Sequence, residues 1–173
     1  MYIVETEAYT GDRDDDKAAH AFGKDTSKKT KTPLTTRKST SAASKKKATD
    51  EGKFIAFHSP GKLYVYQIYG MYFCMNIIVE PEGHAGCVLI RGLRYVDTGV
   101  LLNGPGICCR ELSMTKSSHN GVMLDQEESN SNDDNKSCWV AEGVKVQEDD
   151  IDVTKRIGIT KSPDLPWRFV LKE

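Results

Sequence analysis

The stretch LYVYQIYGMYFCMNIIV, residues 63–79, decides the fold. Two runs rich in aromatic and β-branched residues flank a glycine, which predicts a β-hairpin with strands over 62–68 and 73–79. Because side chains alternate along a strand, the first strand presents two different faces. One face carries Tyr64, Tyr66 and Ile68, and the other carries Leu63, Val65 and Gln67.

The tip of this hairpin carries large side chains where turns usually carry small polar ones. Tyr69, Met71 and Tyr72 surround Gly70. For any one tyrosine of the hairpin, a place in an aromatic core is the plainer interpretation. Amphipathic side chains of this size at a turn instead favour insertion into something outside the chain, such as a stack of bases or a partner's groove.

Strands dominate the rest of the pattern. Further strands are predicted over 2–9, 86–96 and 168–171. A helix is predicted to begin near Gly104-Pro105-Gly106 and to run to Leu112, because proline at the first helical position is preorganised for a helix. Few helices and several strands predict an α+β domain with an antiparallel or mixed sheet.

The composition excludes two classes of protein. The chain has 173 residues, of which 38% are hydrophobic and 28% charged, and it is long enough for one domain. No apolar run approaches the ~20 residues that a membrane-spanning helix needs. Five cysteines, an odd number without paired spacing, fit a reduced compartment rather than a disulfide scaffold. The cysteines and four histidines show no metal-ligand spacing, so no zinc site is expected.

The net charge of −1 hides a segregated distribution. Residues 24–47 hold nine basic residues and one acidic residue, a net of +8, which leaves −9 on the rest of the chain. This Lys, Ser and Thr-rich segment has little to bury, so residues 24–53 are predicted to be a disordered basic insertion. A second polar tract, residues 125–137, is predicted to be an acidic loop.

Two carboxylates lie two residues apart on the first predicted strand. Glu5 and Glu7 would share one face of that strand. If that face is buried, one of them is a candidate general base. On spacing alone, two solvated acids on an edge strand is the plainer interpretation. A lone histidine such as His20 is more often a surface or core residue than a catalyst.

Blocks spread over most of the chain outside the two polar tracts form a recognisable set. They are VETEAY at 4–9, AH at 19–20, PGKLYVY at 60–66, IYGMYFCMN at 68–76, VLIR at 88–91, LNGPG at 102–106, TKS at 115–117, RIGI at 156–159 and WRF at 167–169. In this set the chain resembles the alkyladenine, or 3-methyladenine, DNA glycosylases of the mammalian type. The block from YVY to CMN is the longest and most specific.

The resemblance implies one domain over residues 1–173, with a curved, mainly antiparallel sheet and a few helices, like the barrel of formyltransferase C-terminal domains. It implies a monofunctional base excision repair enzyme that flips damaged nucleotides out of duplex DNA. The enzyme would hydrolyse the N-glycosidic bond of 3-methyladenine, 7-methylguanine, hypoxanthine or ethenoadenine and leave an abasic site. Damaged double-stranded DNA is the implied partner. We expect a monomer without metal or cofactor, located in the nucleus, with mitochondria as a second place.

The resemblance also implies roles for individual residues. Glu7 would be the general base that activates the attacking water, and Arg91 would help to hold that water. The expected pocket for the flipped base is lined by Tyr9, His20, Tyr66 and Asn76. An aromatic sandwich binds a cationic alkylated base well, and Asn76 would clash with the 2-amino group of normal guanine. The side chains expected to enter the DNA stack are Tyr69, Met71 and Tyr72.

Four features depart from the family pattern. The chain begins almost at the strand that carries Glu7, so the family's N-terminal part is expected to be missing. Residues 26–29 read TSKK where the family has Thr-x-Arg-Asn, and the segment between Arg91 and Leu102 is too short for an expected connecting helix. Ile107 replaces a lysine, which would remove one phosphate contact.

Two other functions stay open on the sequence alone. The chain could be a non-catalytic remnant of this family that binds damaged DNA but does not turn over. It could also be an unrelated acid/base hydrolase that uses Glu5 and Glu7 and has no affinity for DNA. The large side chains at the hairpin tip argue against the second of these.

Overall fold

An antiparallel sheet with few helices forms the part of the chain that the computed structural model describes, residues 1–11, 16, 18, 59–82, 84–124, 138 and 140–172. The strands are β1 Tyr2–Thr10, β2 Leu63–Ile68, β3 Tyr72–Ile78, β4 Gly86–Arg94, β5 Leu101–Asn103, β6 Ile151–Thr154 and β7 Arg168–Leu171. The helices are α1 Pro105–Glu111 and α2 Lys116–His119, with a 3-10 turn at Glu148–Asp150. The predicted α+β class is confirmed.

The seven strands run in the order β2-β3-β4-β1-β7-β6, and β5 pairs with β4. Every pair is antiparallel. The strand β1 therefore lies inside the sheet, between β4 and β7, with a neighbour on each side. The predicted basic insertion 24–53 and acidic loop 125–137 lie outside the described residues.

The hairpin that decides the fold forms as predicted, with one change at its tip. β2 and β3 pair from Leu63 opposite Ile77 to Ile68 opposite Tyr72. Tyr72 is therefore the first residue of β3, whereas the sequence pattern predicted it to be part of the turn. Tyr72 pairs with Ile68, so the turn between the two strands contains only the three residues 69–71.

Both faces of this hairpin pack against other parts of the chain. Leu63 and Val65 belong to a core that also contains Cys108 and Cys109 of α1. On the opposite face, which we call the site face, a second cluster of buried residues gathers around Tyr64. Its members are Tyr64, Ile78, Ala85 and Cys87, with Tyr9 and Tyr66 packed against them. The predicted division of β2 into two faces is thus confirmed.

Three of the cysteines are small members of the two cores, Cys87 on the site face and Cys108 and Cys109 on the other face. All five are free thiols, and four of them are buried. Burial raises the pKa of the Cys108 thiol to about 11 and that of Cys109 to about 12. A thiol with so high a pKa is uncharged near neutral pH, which suits the interior of a domain.

A tight turn lies between Arg91 and Leu102, where the sequence predicted that the family's connecting helix is absent. The Tyr95 N–H donates to the carbonyl of Val100 over 3.0 Å, and Gly99 lies in the left-handed region at φ +69°. This turn leads β4 directly into β5. The short segment before Leu102 is therefore accommodated by a hairpin.

Candidate active site

Glu5 and Glu7 are both buried on the inner strand β1. The relative exposure of Glu5 is 6% and that of Glu7 is 0%. The interpretation as solvated acids on an edge strand is therefore wrong, because β1 has a neighbour on each side. A buried carboxylate must be compensated by hydrogen bonds or by opposite charge, so its partners reveal how it is used.

Three groups approach the carboxylate of Glu7. The Tyr9 hydroxyl donates to Oε2 over 2.8 Å, and the Ile157 N–H donates to Oε1 over 2.8 Å. The Nε of Arg91 lies 3.5 Å from Oε1. Burial and the adjacent Glu7 charge raise the pKa of Tyr9 well above its usual value, so this hydroxyl stays protonated and remains a donor. Glu7 is thus held in one orientation by a hydrogen bond to each of its two oxygens.

Two irregularities in the pairing of β1 and β4 bring the charged residues together. Ile3 pairs with Leu93 and Glu5 pairs with Gly92, so Val4 is an extra residue on β1. Thr6 then pairs with Ile90, so Arg91 is an extra residue on β4. Bulges of this kind redirect side chains and are common next to active sites.

The redirected Arg91 forms an ionic cluster with both carboxylates. Its Nε donates to Oε1 of Glu5 over 2.9 Å. Arg168, the first residue of β7, donates to the same oxygen from its own Nε over 2.6 Å. The cluster therefore consists of two carboxylates on β1 and one arginine from each neighbouring strand, which balances its formal charge.

Aromatic side chains lie beside this cluster on the site face. Tyr9 and Tyr66 pack against the same buried residues, and the ring of Tyr66 lies 5.4 Å from that of Tyr64 between centroids. Burial raises the pKa of Tyr66 far above its usual value, so its ring remains neutral. Of the four predicted pocket residues, His20 lies outside the described part of the chain.

Asn76 lies on β3 beside these rings, with its amide held in place. Its Nδ2 donates to the carbonyl of Tyr64 over 3.0 Å, and the Cys87 thiol donates to its Oδ1 over 3.5 Å. Asn76 is itself buried. The structure thus places Tyr9, Tyr66 and Asn76 together on the face that carries Glu7.

The hairpin tip presents its large side chains to solvent. Tyr69 is 82% exposed, Met71 68% and Tyr72 47%. The backbone of Tyr69 is left-handed at φ +52°, which a bulky residue adopts at a cost of about 1–2 kcal/mol. The side chain of Gln67 braces the turn by donating to the carbonyl of Gly70 over 2.7 Å. The exposed tyrosine is thus held in a strained conformation, of a kind that clusters at functional sites.

A second buried ion pair, which the sequence did not indicate, lies behind Tyr9. Arg156 donates from both terminal nitrogens to Asp16, over 2.6 and 2.8 Å, and the side chains of both residues are fully buried. The guanidinium lies 4.5 Å from the centre of the Tyr9 ring and 5.3 Å from that of Trp167. Because Ile157 follows directly, this pair also anchors the N–H that holds Glu7.

Sequence reasoning missed Asp16, Arg156 and Arg168 as members of the site. A signal was available for the two arginines, since both lie in the blocks RIGI and WRF that carry the resemblance. Asp16 gave no such signal, because it is one of four acidic residues in the segment 12–16.

The described residues lack both a metal-binding cluster and a membrane-spanning helix. They contain no group of three or more His, Cys, Asp or Glu side chains that could hold a metal ion. None of the helices in the described ranges is both long enough and apolar enough to cross a membrane.

Comparison with curated proteins finds relatives over nearly the whole chain, each named "Putative 3-methyladenine DNA glycosylase". A protein of Ehrlichia ruminantium is 34% identical over 174 residues, covering 99% of this chain and 73% of the relative. A protein of Synechococcus is 33% identical over 185 residues, covering 98% and 77%. One of Rickettsia felis is 34% identical over 173 residues, covering 99% and 76%.

These relatives correct one expectation. The mammalian-type resemblance implied a location in the nucleus, with mitochondria as a second place. The relatives come from Ehrlichia, Synechococcus and Rickettsia, which are bacteria and have no nucleus. The expected nuclear location is therefore wrong.

The family comparison agrees with these relatives. The model of the family described as Methylpurine-DNA glycosylase matches residues 34–173, which is most of the chain. That match includes the hairpin, Arg91 of β4, and Arg156 and Arg168 near the C-terminus. The curated relatives extend the similarity to the strand that carries Glu7. The chain therefore belongs to the methylpurine-DNA glycosylase family.

Proposed function

We propose that this chain flips alkylated or deaminated purines out of duplex DNA and hydrolyses their N-glycosidic bond with Glu7 as general base. The observation that carries the proposal is the environment of Glu7. A fully buried carboxylate is oriented by Tyr9 and Ile157 on the same face as a set of aromatic side chains. Family membership makes DNA the substrate, and the site supplies the chemistry.

The proposed reaction needs one carboxylate and one water molecule. Glu7 accepts a proton from the water, and the water oxygen forms a bond to C1′ of the sugar. The bond between C1′ and N9 of the purine breaks, and its electron pair leaves with the base. The sugar passes through an oxocarbenium-like state, which the adjacent negative charge stabilises.

The chemistry of the leaving group fits the substrate class that the resemblance implies. Purines methylated at N3 or N7 are already cationic, so the electron pair of the broken bond neutralises them and they leave easily. Hypoxanthine and ethenoadenine are neutral and need a proton as well. For all of them, Tyr9 and Tyr66 would stack on the flipped base, at about 1–3 kcal/mol for each base–aromatic contact.

Normal guanine would be excluded by the buried amide of Asn76. Its contacts with Tyr64 and Cys87 fix the side chain, so it cannot swing aside for an extra 2-amino group. Hypoxanthine differs from guanine only by lacking that group. Exclusion by steric conflict of this kind is an established route to specificity.

An excision assay with enzyme in excess over DNA tests the proposal. The chain is incubated with matched duplexes that carry 7-methylguanine, hypoxanthine, ethenoadenine or guanine at one position, and the free base and abasic sites are quantified. We expect release from the damaged duplexes and none from the guanine duplex. Tight binding to abasic DNA with no release from any duplex would contradict the proposal and indicate a non-catalytic DNA-binding protein.

We expect Tyr69→Gly to weaken binding to a hypoxanthine duplex by roughly tenfold, because about one base-sized stacking contact is lost. The melting temperature of the protein should not fall, since glycine adopts the positive φ at this position without strain. Both quantities are measured on the same preparation, by fluorescence anisotropy and by thermal unfolding.

Tyr69→Phe is the matched control, because it keeps the ring and the strained backbone. It should bind as the parent does. Binding by Tyr69→Gly that equals the parent's would show that the exposed tyrosine does not enter DNA.

A further inference from the structure

We propose that Glu5 is a positioning residue that holds Arg91 off Glu7 and so leaves Glu7 free to take the proton of water. This inference rests on the proposed function, because it gives Glu5 a purpose in the same reaction. It concerns a residue that contacts neither the water nor the base. The carboxylate would act only through the arginine between the two glutamates.

The geometry of Arg91 is the first observation. Its Nε carries a single hydrogen and lies 2.9 Å from Oε1 of Glu5 but 3.5 Å from Oε1 of Glu7. One N–H group directs its hydrogen bond to one acceptor, and that acceptor is Glu5. Arg91 therefore stands beside Glu7 as a nearby positive charge without bonding to it through Nε.

The acceptor capacity of Glu7 is the second observation. A carboxylate offers about four lone-pair sites, two on each oxygen. Tyr9 occupies one site on Oε2, and Ile157 occupies one on Oε1. A hydrogen bond from Arg91 would take a third site and would stabilise the charged form, which weakens a base. With Arg91 held by Glu5, one lone-pair site on each oxygen receives no hydrogen bond from the described residues. The carboxylate is fully buried in this structure, so the proposed water has to enter when the substrate binds.

The support behind Glu5 is the third observation. Arg168 donates to Oε1 of Glu5 from its Nε and to the hydroxyl of Thr154 from its Nη1, over 2.6 and 3.0 Å. A Cβ atom at Gly92 would lie only 2.7 Å from that of Glu5, so the facing strand leaves this position empty. Glu5 is thereby fixed from both neighbouring strands, with its charge shared by two arginines.

The alternative is that Glu5 only stabilises the fold through its two ion pairs. A double-mutant cycle separates the two roles, because a residue that acts through Arg91 loses its effect once Arg91 is gone. The four forms are the parent, Glu5→Gln, Arg91→Gln and the double variant. Each is assayed for single-turnover excision of hypoxanthine and for binding to abasic DNA.

We expect Glu5→Gln to slow excision roughly tenfold with abasic-DNA affinity unchanged, since the neutral amide holds Arg91 less firmly than the charged carboxylate and lets it turn to Glu7. The double variant should be no slower than Arg91→Gln alone. Parent-like excision by Glu5→Gln, or losses that multiply in the double variant, would overturn the proposal.

A spectroscopic measurement tests the same contact without depending on activity. The Nε–H resonance of Arg91 is assigned in the full chain by its loss in Arg91→Lys. It should move strongly in Glu5→Gln, which replaces its charged acceptor, and only slightly in Glu7→Gln, whose charge lies 3.5 Å from Nε. A shift in Glu7→Gln of the size that loss of a hydrogen bond gives would overturn the proposal even if Glu5→Gln fails to fold. An inactive parent with the expected spectra would overturn the glycosylase reaction and leave the positioning contact established.

Discussion

Glu7→Gln should slow excision of damaged purines by about a hundredfold or more while sparing affinity for abasic DNA. The amide keeps the shape of the side chain but cannot accept a proton from water. Loss of a general base typically costs between about a hundredfold and ten-thousandfold in rate. The measurement is single-turnover release of hypoxanthine with enzyme in excess. The reaction is followed for long enough to detect a rate that is lower by about ten-thousandfold.

The neighbouring carboxylate supplies the control. Glu5→Gln removes the same charge two residues earlier on β1. It should lower the rate of excision only roughly tenfold, because Glu5 acts through Arg91. Binding of an abasic duplex separates chemistry from recognition in both variants. Equal excision by Glu7→Gln and the parent would refute the mechanism, and equal losses in the two variants would mean that Glu7 has no special role.

Asp16→Asn should lower the free energy of unfolding by about 3–5 kcal/mol, because it leaves the charge of Arg156 buried without a counter-ion. For a chain of this length, each kcal/mol corresponds to roughly 2–4 °C in melting temperature. The expected fall of about 10 °C is well outside the error of thermal unfolding followed by circular dichroism.

The exposed pair between Lys155 and Asp164 is the matched control, since the two atoms lie 2.5 Å apart but both side chains are largely in water. Asp164→Asn removes the same charge and should change the melting temperature little, because water screens such pairs. A small effect from Asp16→Asn would show that the pair behind Tyr9 is not needed to hold the fold.

The hairpin, the two faces of its first strand and the first helix could be predicted from local sequence. Alternation separates Tyr64 and Tyr66 from Leu63 and Val65, and each pair has its own core in the structure. Proline at the first position of α1 marks where that helix begins. These features depend on neighbours within a few residues, so periodicity and propensity suffice to predict them.

The inner position of β1 could not be predicted from its own residues. Two carboxylates in a strand are more often at an edge, and only the pairing with β4 and β7 shows that they are buried. Several short elements, β5, β6 and α2, were also missed. Runs of three or four residues carry too little periodicity to predict an element.

The ionic cluster depends on contacts that are distant in sequence. Arg91 is 86 residues from Glu5, and Arg168 is 163 residues from it. The paired bulges at Val4 and Arg91 decide which way the arginine points, and a one-residue shift in register leaves no mark in composition. Arg156 reaches Asp16 across 140 residues for the same kind of reason.

The most direct measurement is excision of hypoxanthine from duplex DNA by the parent chain in the presence of sodium borohydride. If water activated by Glu7 is the nucleophile, the reaction releases free hypoxanthine, leaves an unbroken strand with an abasic site, and forms no more protein–DNA link than a preformed abasic duplex does. If a lysine amine attacks C1′ instead, borohydride reduces the resulting imine and joins the protein to the DNA during excision. More trapped complex from the hypoxanthine duplex than from the preformed abasic duplex would contradict the assignment of Glu7 as the general base for water.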